Sequence, residues 1–276
     1  MNKELLIQLT IIFFLTQVLG LWAGSFLIDE GIKTTIINDD PESIDNGLAL
    51  IVWILLMSAV LLLAIKFAPN WILTIFLKAL ESLAIFGTAI IILLPAMLSD
   101  WLVLAIASGL VAARIIFSKH VLLRNVSSIV AAAGAGALIG ASLGVVPLLV
   151  FIILLSVYDI IAVFKTKHMV ELAKGVTKKN LSFTYALPTK EHQFELGTGD
   201  MVIPLAFSVS VLAQAKQFYL SAFAFVPPAL ILIASFVGLA LTLEYASKNK
   251  GKPLPALPLQ TGLMIIVYGI VYFIAL

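Results

Sequence analysis

Between residues 126 and 164 the chain is apolar almost without interruption. At ~1.5 Å per residue, a helix of that length is roughly twice the ~30 Å hydrocarbon core of a bilayer. The stretch must therefore cross twice, turning near Gly144 to Pro147. Further apolar runs cover 5–27, 48–65, 71–98, 102–117, 201–215, 219–243 and 257–276. Each predicts a helix, because lipid offers the backbone no outside hydrogen-bond partner. The sum is nine spans: an all-α, polytopic membrane protein forming one domain over 1–276, with spans one to six in 1–164, a cytoplasmic loop at 165–196 and spans seven to nine in 197–276. Composition agrees, since 62% of residues are hydrophobic and 12% charged, far from a soluble domain. The first run is longer than the apolar core of a signal peptide, so it reads as a first span.

The positions of the charges matter more than their total. A net charge of +2 is too small to suggest a nucleic-acid partner, and basic residues favour cytoplasmic loops. Nine spans put Lys3, Lys66, Arg114, Lys119, Arg124, the lysines of 165–196, Lys248, Lys250 and Lys252 on the side of the N-terminus, with only Lys33 and Lys216 opposite. The N-terminus is therefore assigned to the cytoplasm and the C-terminus to the outside. The first outside loop carries Asp29, Glu30, Asp39, Asp40, Glu42 and Asp45, read as a solvated acidic face. Without cysteine there is no disulfide, thiolate nucleophile or Cys-ligated metal. Gly136, Gly140 and Gly144 recur at every fourth position and predict a close-packing helix face. In the long loop, 165–174 is expected to extend the sixth helix along the membrane surface, followed by a polar, flexible stretch to Lys190.

An ionisable residue inside a span costs roughly 2.5–3.5 kcal/mol on insertion scales, so it needs a partner or a purpose. Glu81 lies three positions from Lys78 and is expected to pair with it. Asp100 falls in a turn and is expected to be solvated. Asp159 has no basic residue nearby before Lys165, so its partner must come from another helix. Asp200 opens the seventh apolar run, where an ordinary helix N-cap is one reading. That run, 201–215, is shorter than the ~20 residues of a usual span, which draws Asp200 into the bilayer. The sixth span descends to the side from which the seventh ascends, so both carboxylates are expected at similar depth. Two such groups in a low-dielectric site share a proton and can act as acid and base on a bound water. Gly197 and Gly199 would allow close approach of backbone or substrate, or simply loosen the helix entrance. Pro253, Pro255 and Pro258 prevent regular helix ahead of the ninth span, giving a rigid connector or an extended border to the cleft.

Together, Tyr158-Asp159 in the sixth span, Gly197-Thr198-Gly199-Asp200 in the seventh and Pro255-Ala256-Leu257 before the ninth resemble the presenilin and signal peptide peptidase family of intramembrane aspartyl proteases. The small size resembles a microbial, archaeal presenilin homologue, and the charge pattern resembles the presenilin branch. The resemblance implies that Asp159 and Asp200 are catalytic, with Tyr158, Gly197 and Gly199 supporting the active site. It implies that Pro255, Ala256 and Leu257 receive substrate, and that substrates are transmembrane helices, unwound locally in the lipid bilayer before hydrolysis. No cofactor or metal is implied, and self-association into a homo-oligomer stays open. A prepilin-type peptidase also uses Gly-x-Gly-Asp, but leaves the Pro-Ala-Leu segment without a role. A proton-coupled transporter or cation channel would also bury acids, yet no matching interrupted helices occur in two repeats. His120, His168 and His192 lie near or in cytoplasmic loops and read as solvated.

Overall fold

The structure, a computed structural model, describes residues 3–165, 183–189, 193–219, 221–248 and 255–275. Nine α-helices are present among the described residues: α1 Lys3–Asp29, α2 Ile44–Phe67, α3 Asn70–Leu93, α4 Asp100–Ile116, α5 Val121–Ser142, α6 Val145–Ile160, α7 Gly199–Ala215, α8 Val226–Lys248 and α9 Leu257–Ala275. Seven of the described helices are long and apolar enough to cross a membrane. The nine-span reading is therefore qualified at two helices, because α4 and α7 have 17 residues each. At ~1.5 Å rise each reaches only about 26 Å. The double crossing at 126–164 breaks where expected, with Leu143 capping α5 and Gly144 preceding α6.

α7 is the axis of the bundle. It packs against α1, α5, α6, α8 and α9, and residues 203–212 of it are almost wholly buried. A short helix is sustainable there because protein, not lipid, surrounds it. Two of the repeated glycines let α5 approach it: a Cβ at Gly136 would stand 2.7 Å from Leu205, and one at Gly140 would stand 2.6 Å from the Val209 Cβ. Gly144 leaves the helix face and lies against the Glu42 carboxylate instead. α2 sits at the edge, against α6, and presents Val52, Trp53, Leu56, Met57, Val60 and Leu63 outward. Exposed apolar side chains of that density suit lipid, not water.

Two expectations are corrected, and a third falls outside the described residues. The end of the 165–196 loop is not a flexible polar stretch: β1 Thr184–Pro188 and β2 Gln193–Gly197 pair antiparallel, with Thr184 opposite Gly197 and Pro188 opposite Gln193. Tyr185 and Leu187 are buried with Leu5 and Leu9 of α1 and Met201 of α7, so burial of the strand's apolar side chains organises the hairpin. The predicted surface helix over 165–174 lies outside the described residues apart from Lys165, which closes a π-helical turn over Ile161–Lys165. Glu81 does not depend on Lys78, which is exposed. Its carboxylate instead accepts from Arg114 Nε on α4 at 3.0 Å, both side chains being under 10% exposed. A guanidinium reaching across from a neighbouring helix answers the buried charge, where an exposed lysine on the same helix leaves it in apolar surroundings.

The polar loops are satisfied locally. Asn46 is buried and holds the first outside loop together, accepting from the Ile37 and Asn38 N–H groups and donating to the Asn38 and Asp40 carbonyls. Asp100 is exposed at the start of α4, as expected of a solvated turn, and His120 is exposed before α5. His168 and His192 lie outside the described residues.

Candidate active site

Asp159 lies in the last turn of α6, just ahead of the π-helical turn, and is 5% exposed. Single π-turns open the helical ladder and recur at functional sites. Asp200 lies in the first turn of α7 and is half-buried. Thr198, not Asp200, occupies the N-cap position. The carboxylate is therefore not consumed in capping its own helix.

α6 packs on α7, and the Asp159 and Asp200 carboxyls lie within electrostatic reach of each other. Two acids 41 positions apart in sequence thus lie near each other. Each faces a backbone donor. Leu257 presents its N–H to the Asp159 carboxylate, and Gly197 presents its N–H to the Asp200 carboxylate.

The first contact gives Pro255 and Pro258 a role, whereas Pro253 lies outside the described residues. Leu257 is the first residue of α9 and Pro258 the second, and the leading N–H groups of a helix have no intrahelical partner. Pro255 and Ala256 are half-buried and non-helical, so they deliver that free helix end to Asp159. Leu257 itself is buried with Phe151, Leu155 and Phe207 of α6 and α7. One turn deeper, Ser156 Oγ donates to Thr261 Oγ1 at 2.7 Å, tying α6 to α9. All three sequence motifs therefore converge on one place.

The glycines of Gly197-Thr198-Gly199-Asp200 differ from those between helices. A Cβ at Gly199 would meet nothing within 4 Å, and one at Gly197 would first meet Asp200 Oδ2 at 3.4 Å. Among the described residues neither is required by packing, and Gly197 leaves space open beside the Asp200 carboxylate. Tyr158 points elsewhere: its hydroxyl hydrogen-bonds Ser58 on α2 at 3.2 Å. It ties α6 to α2 beside the acid it precedes.

One residue at the site has no counterpart in the sequence motifs. Tyr185 on β1 is fully buried, donates its hydroxyl to the Ser128 carbonyl at 3.2 Å, and lies 3.4 Å from Thr16 Oγ1. Burial pushes its phenol above the usual range, Thr16 opposes the shift, and the charge of Asp200 adds to it. It therefore stands as a neutral donor within electrostatic reach of Asp200. The only sequence signal was its position 15 residues ahead of Asp200 in a loop without evident pattern. No group of three or more metal-ligating side chains occurs among the described residues.

A family model described as signal-peptide peptidase, presenilin aspartyl protease matches residues 10–195. The match includes Asp159 and stops short of Asp200. Two solved structures of a presenilin family intramembrane aspartate protease are similar in fold. One, in space group C222, has a TM-score of 0.73 at 22% identity, covering 98% of this chain and 99% of that one. The other, in space group P2, has a TM-score of 0.69 at 23% identity, covering 97% of each chain. No curated protein matches. A helical bundle of the presenilin kind, carrying two facing acids, and a family match over most of the chain lead to one conclusion: the chain belongs to the signal-peptide peptidase and presenilin aspartyl protease family and is an integral membrane, intramembrane-cleaving aspartic endopeptidase.

Proposed function

We propose that Asp159 and Asp200 are the catalytic pair, and that the enzyme hydrolyses peptide bonds within transmembrane helices of membrane-protein substrates. The observation that carries this reading is the facing of two carboxyls from α6 and α7, one of them held against the helix end that follows Pro255-Ala256. Two carboxyls so placed share one proton more readily than they both ionise. The ionised partner takes a proton from a water whose oxygen attacks the peptide carbonyl carbon. The protonated partner donates to the carbonyl oxygen as negative charge develops there. Collapse of the tetrahedral intermediate breaks the C–N bond, and a proton passes to the leaving nitrogen. The products are one new carboxyl and one new amine.

A helical peptide bond is shielded by its own turn, so the substrate must be extended where it is cut. The open space at Gly197 and Gly199 and the non-helical Pro255-Ala256 offer such a segment a lining without side-chain obstruction. Pro255, Ala256 and Leu257 are accordingly assigned to substrate reception. Tyr158 supports the site by anchoring α6 to α2. Lysine and arginine sorting supports a cytoplasmic N-terminus. The pair would then work near the inner membrane surface.

The test uses purified protein in liposomes with a labelled single-span substrate, and mass spectrometry of the products. Cleavage inside the span by the unmodified enzyme, absent from Asp159→Ala and Asp200→Ala, is the expected result. Proton or cation flux without cleavage would instead favour a transporter.

A further inference from the structure

Arg124, near the start of α5, is 1% exposed yet permanently charged. A buried charge persists only where it is paired and its donors are answered. Here the β-hairpin answers them. Arg124 Nε donates to the Thr184 carbonyl at 3.1 Å, Nη1 donates to Glu195 Oε1 at 3.3 Å, and Nη2 contacts both Thr184 Oγ1 and Glu195 Oε2. Thr184 Oγ1 donates in turn to Glu195 Oε2 at 2.6 Å. One guanidinium therefore grips both strands.

Asn125 extends the grip. Its Oδ1 accepts from the Ala186 N–H and its Nδ2 donates to the Ala186 carbonyl, both at 2.8 Å, so the side chain completes the outer edge of β1 as a neighbouring strand would. Ser128, one turn along, accepts the Tyr185 hydroxyl at its carbonyl. The clamped end of the hairpin is the end next to Asp200. Thr184 stands opposite Gly197 in the ladder, and Thr198 donates both its N–H and its hydroxyl to the Phe183 carbonyl, at 3.2 and 3.1 Å. Asp200 follows two residues later.

We propose that Arg124, acting with Glu195 and Asn125, is a positioning residue for proteolysis: it locks the hairpin to α5 and thereby fixes the Gly-Thr-Gly-Asp segment, and Tyr185, against the site. This rests on Asp200 being half of the catalytic pair. The planar fork of arginine is what spans Thr184 and Glu195, so lysine, which keeps the charge but lacks the fork, does not replace it. Displacement of a reacting group by ~1 Å reduces rates by as much as ~100-fold.

The experiment compares full-length Arg124→Lys, Glu195→Gln, Thr184→Val and Asp200→Ala with the unmodified enzyme, reconstituted with a labelled single-span substrate. Rates are expressed per folded molecule and melting is followed in parallel. Expected for Arg124→Lys and Glu195→Gln is a fall in kcat of about tenfold or more with KM within about twofold, as a displaced reacting group predicts. The double variant should be no slower than the slower single, because both remove one unit. Thr184→Val, the mildest change, keeps the protein testable should the others not fold, and should lower kcat by a factor of about three or more, since it removes the hydroxyl's hydrogen bonds with Arg124 and Glu195. Unmodified kcat in Arg124→Lys and Thr184→Val, with Asp200→Ala inactive, overturns the clamp and leaves the catalytic pair standing. Activity in Asp200→Ala overturns the pair, and the clamp with it.

Discussion

At the residue scale, the arrangement that most distinguishes this site is a free helix end held against an acid. Leu257 supplies both an N–H to Asp159 and an apolar side chain to the core, and the two roles separate by substitution. Leu257→Pro removes the N–H at the first helical position, where proline is well tolerated. It should lower kcat by roughly 10- to 100-fold, as loss of a hydrogen bond to a charged group predicts, with a loss of stability similar to that of Leu257→Ala, since both remove the buried leucine side chain. Leu257→Ala keeps the N–H and should chiefly destabilise, by about 2–3 kcal/mol. Rates and melting curves of the two variants read the difference directly. The shared proton carries its own prediction. Cleavage should fall at low pH, where both carboxyls are protonated, and at high pH, where both are ionised, giving a bell-shaped kcat profile. A profile flat through the acidic range would count against the pair.

At the scale of elements, some of this structure could be read in advance and some could not, for physical reasons. Helices were legible because lipid permits little else, and the proximity of Asp159 and Asp200 was legible because the sixth run ends on the side from which the seventh begins. The hairpin was not. Thr184–Pro188 shows no alternating pattern, and its order comes from Arg124, Asn125 and the apolar residues of α1, 60 or more positions away in sequence. The same blindness hid Arg114 behind Lys78, since local spacing says nothing of a partner 33 positions on. Glu81→Ala should therefore destabilise by about 3–5 kcal/mol, because it strands a buried guanidinium. Lys78→Ala should lie within about 0.5 kcal/mol of the unmodified protein. Thermal denaturation in detergent decides between them. Between α5 and α7, Gly140→Val would drive a branched side chain into Val209, and should cost about 1–3 kcal/mol or more, since an element this closely packed has little room to relax.

At the scale of the whole molecule, the chain surrounds a short, buried α7 with longer helices and leaves its widest apolar faces, such as that of α2, to lipid. This layout sets the half-buried Asp200 at the start of a helix surrounded by protein, which spares its carboxylate contact with hydrocarbon. The proposed cytoplasmic N-terminus rests on the sorting of basic residues among the loops. A single cysteine placed at Lys119 should accordingly be shielded from an impermeant thiol reagent added outside intact cells, whereas one at Asn38 should react, the chain having no cysteine of its own. The hairpin, the π-turn of α6 and the start of α9 all meet at the acids, so three distant parts of the chain must dock before the site exists. The most direct measurement of that claim is the turnover of one labelled transmembrane substrate by Asp159→Asn, Asp200→Asn and the double variant, each folded and reconstituted alike. A working pair predicts that each single variant falls to background and that the double falls no further, whereas measurable turnover in either single variant would contradict it.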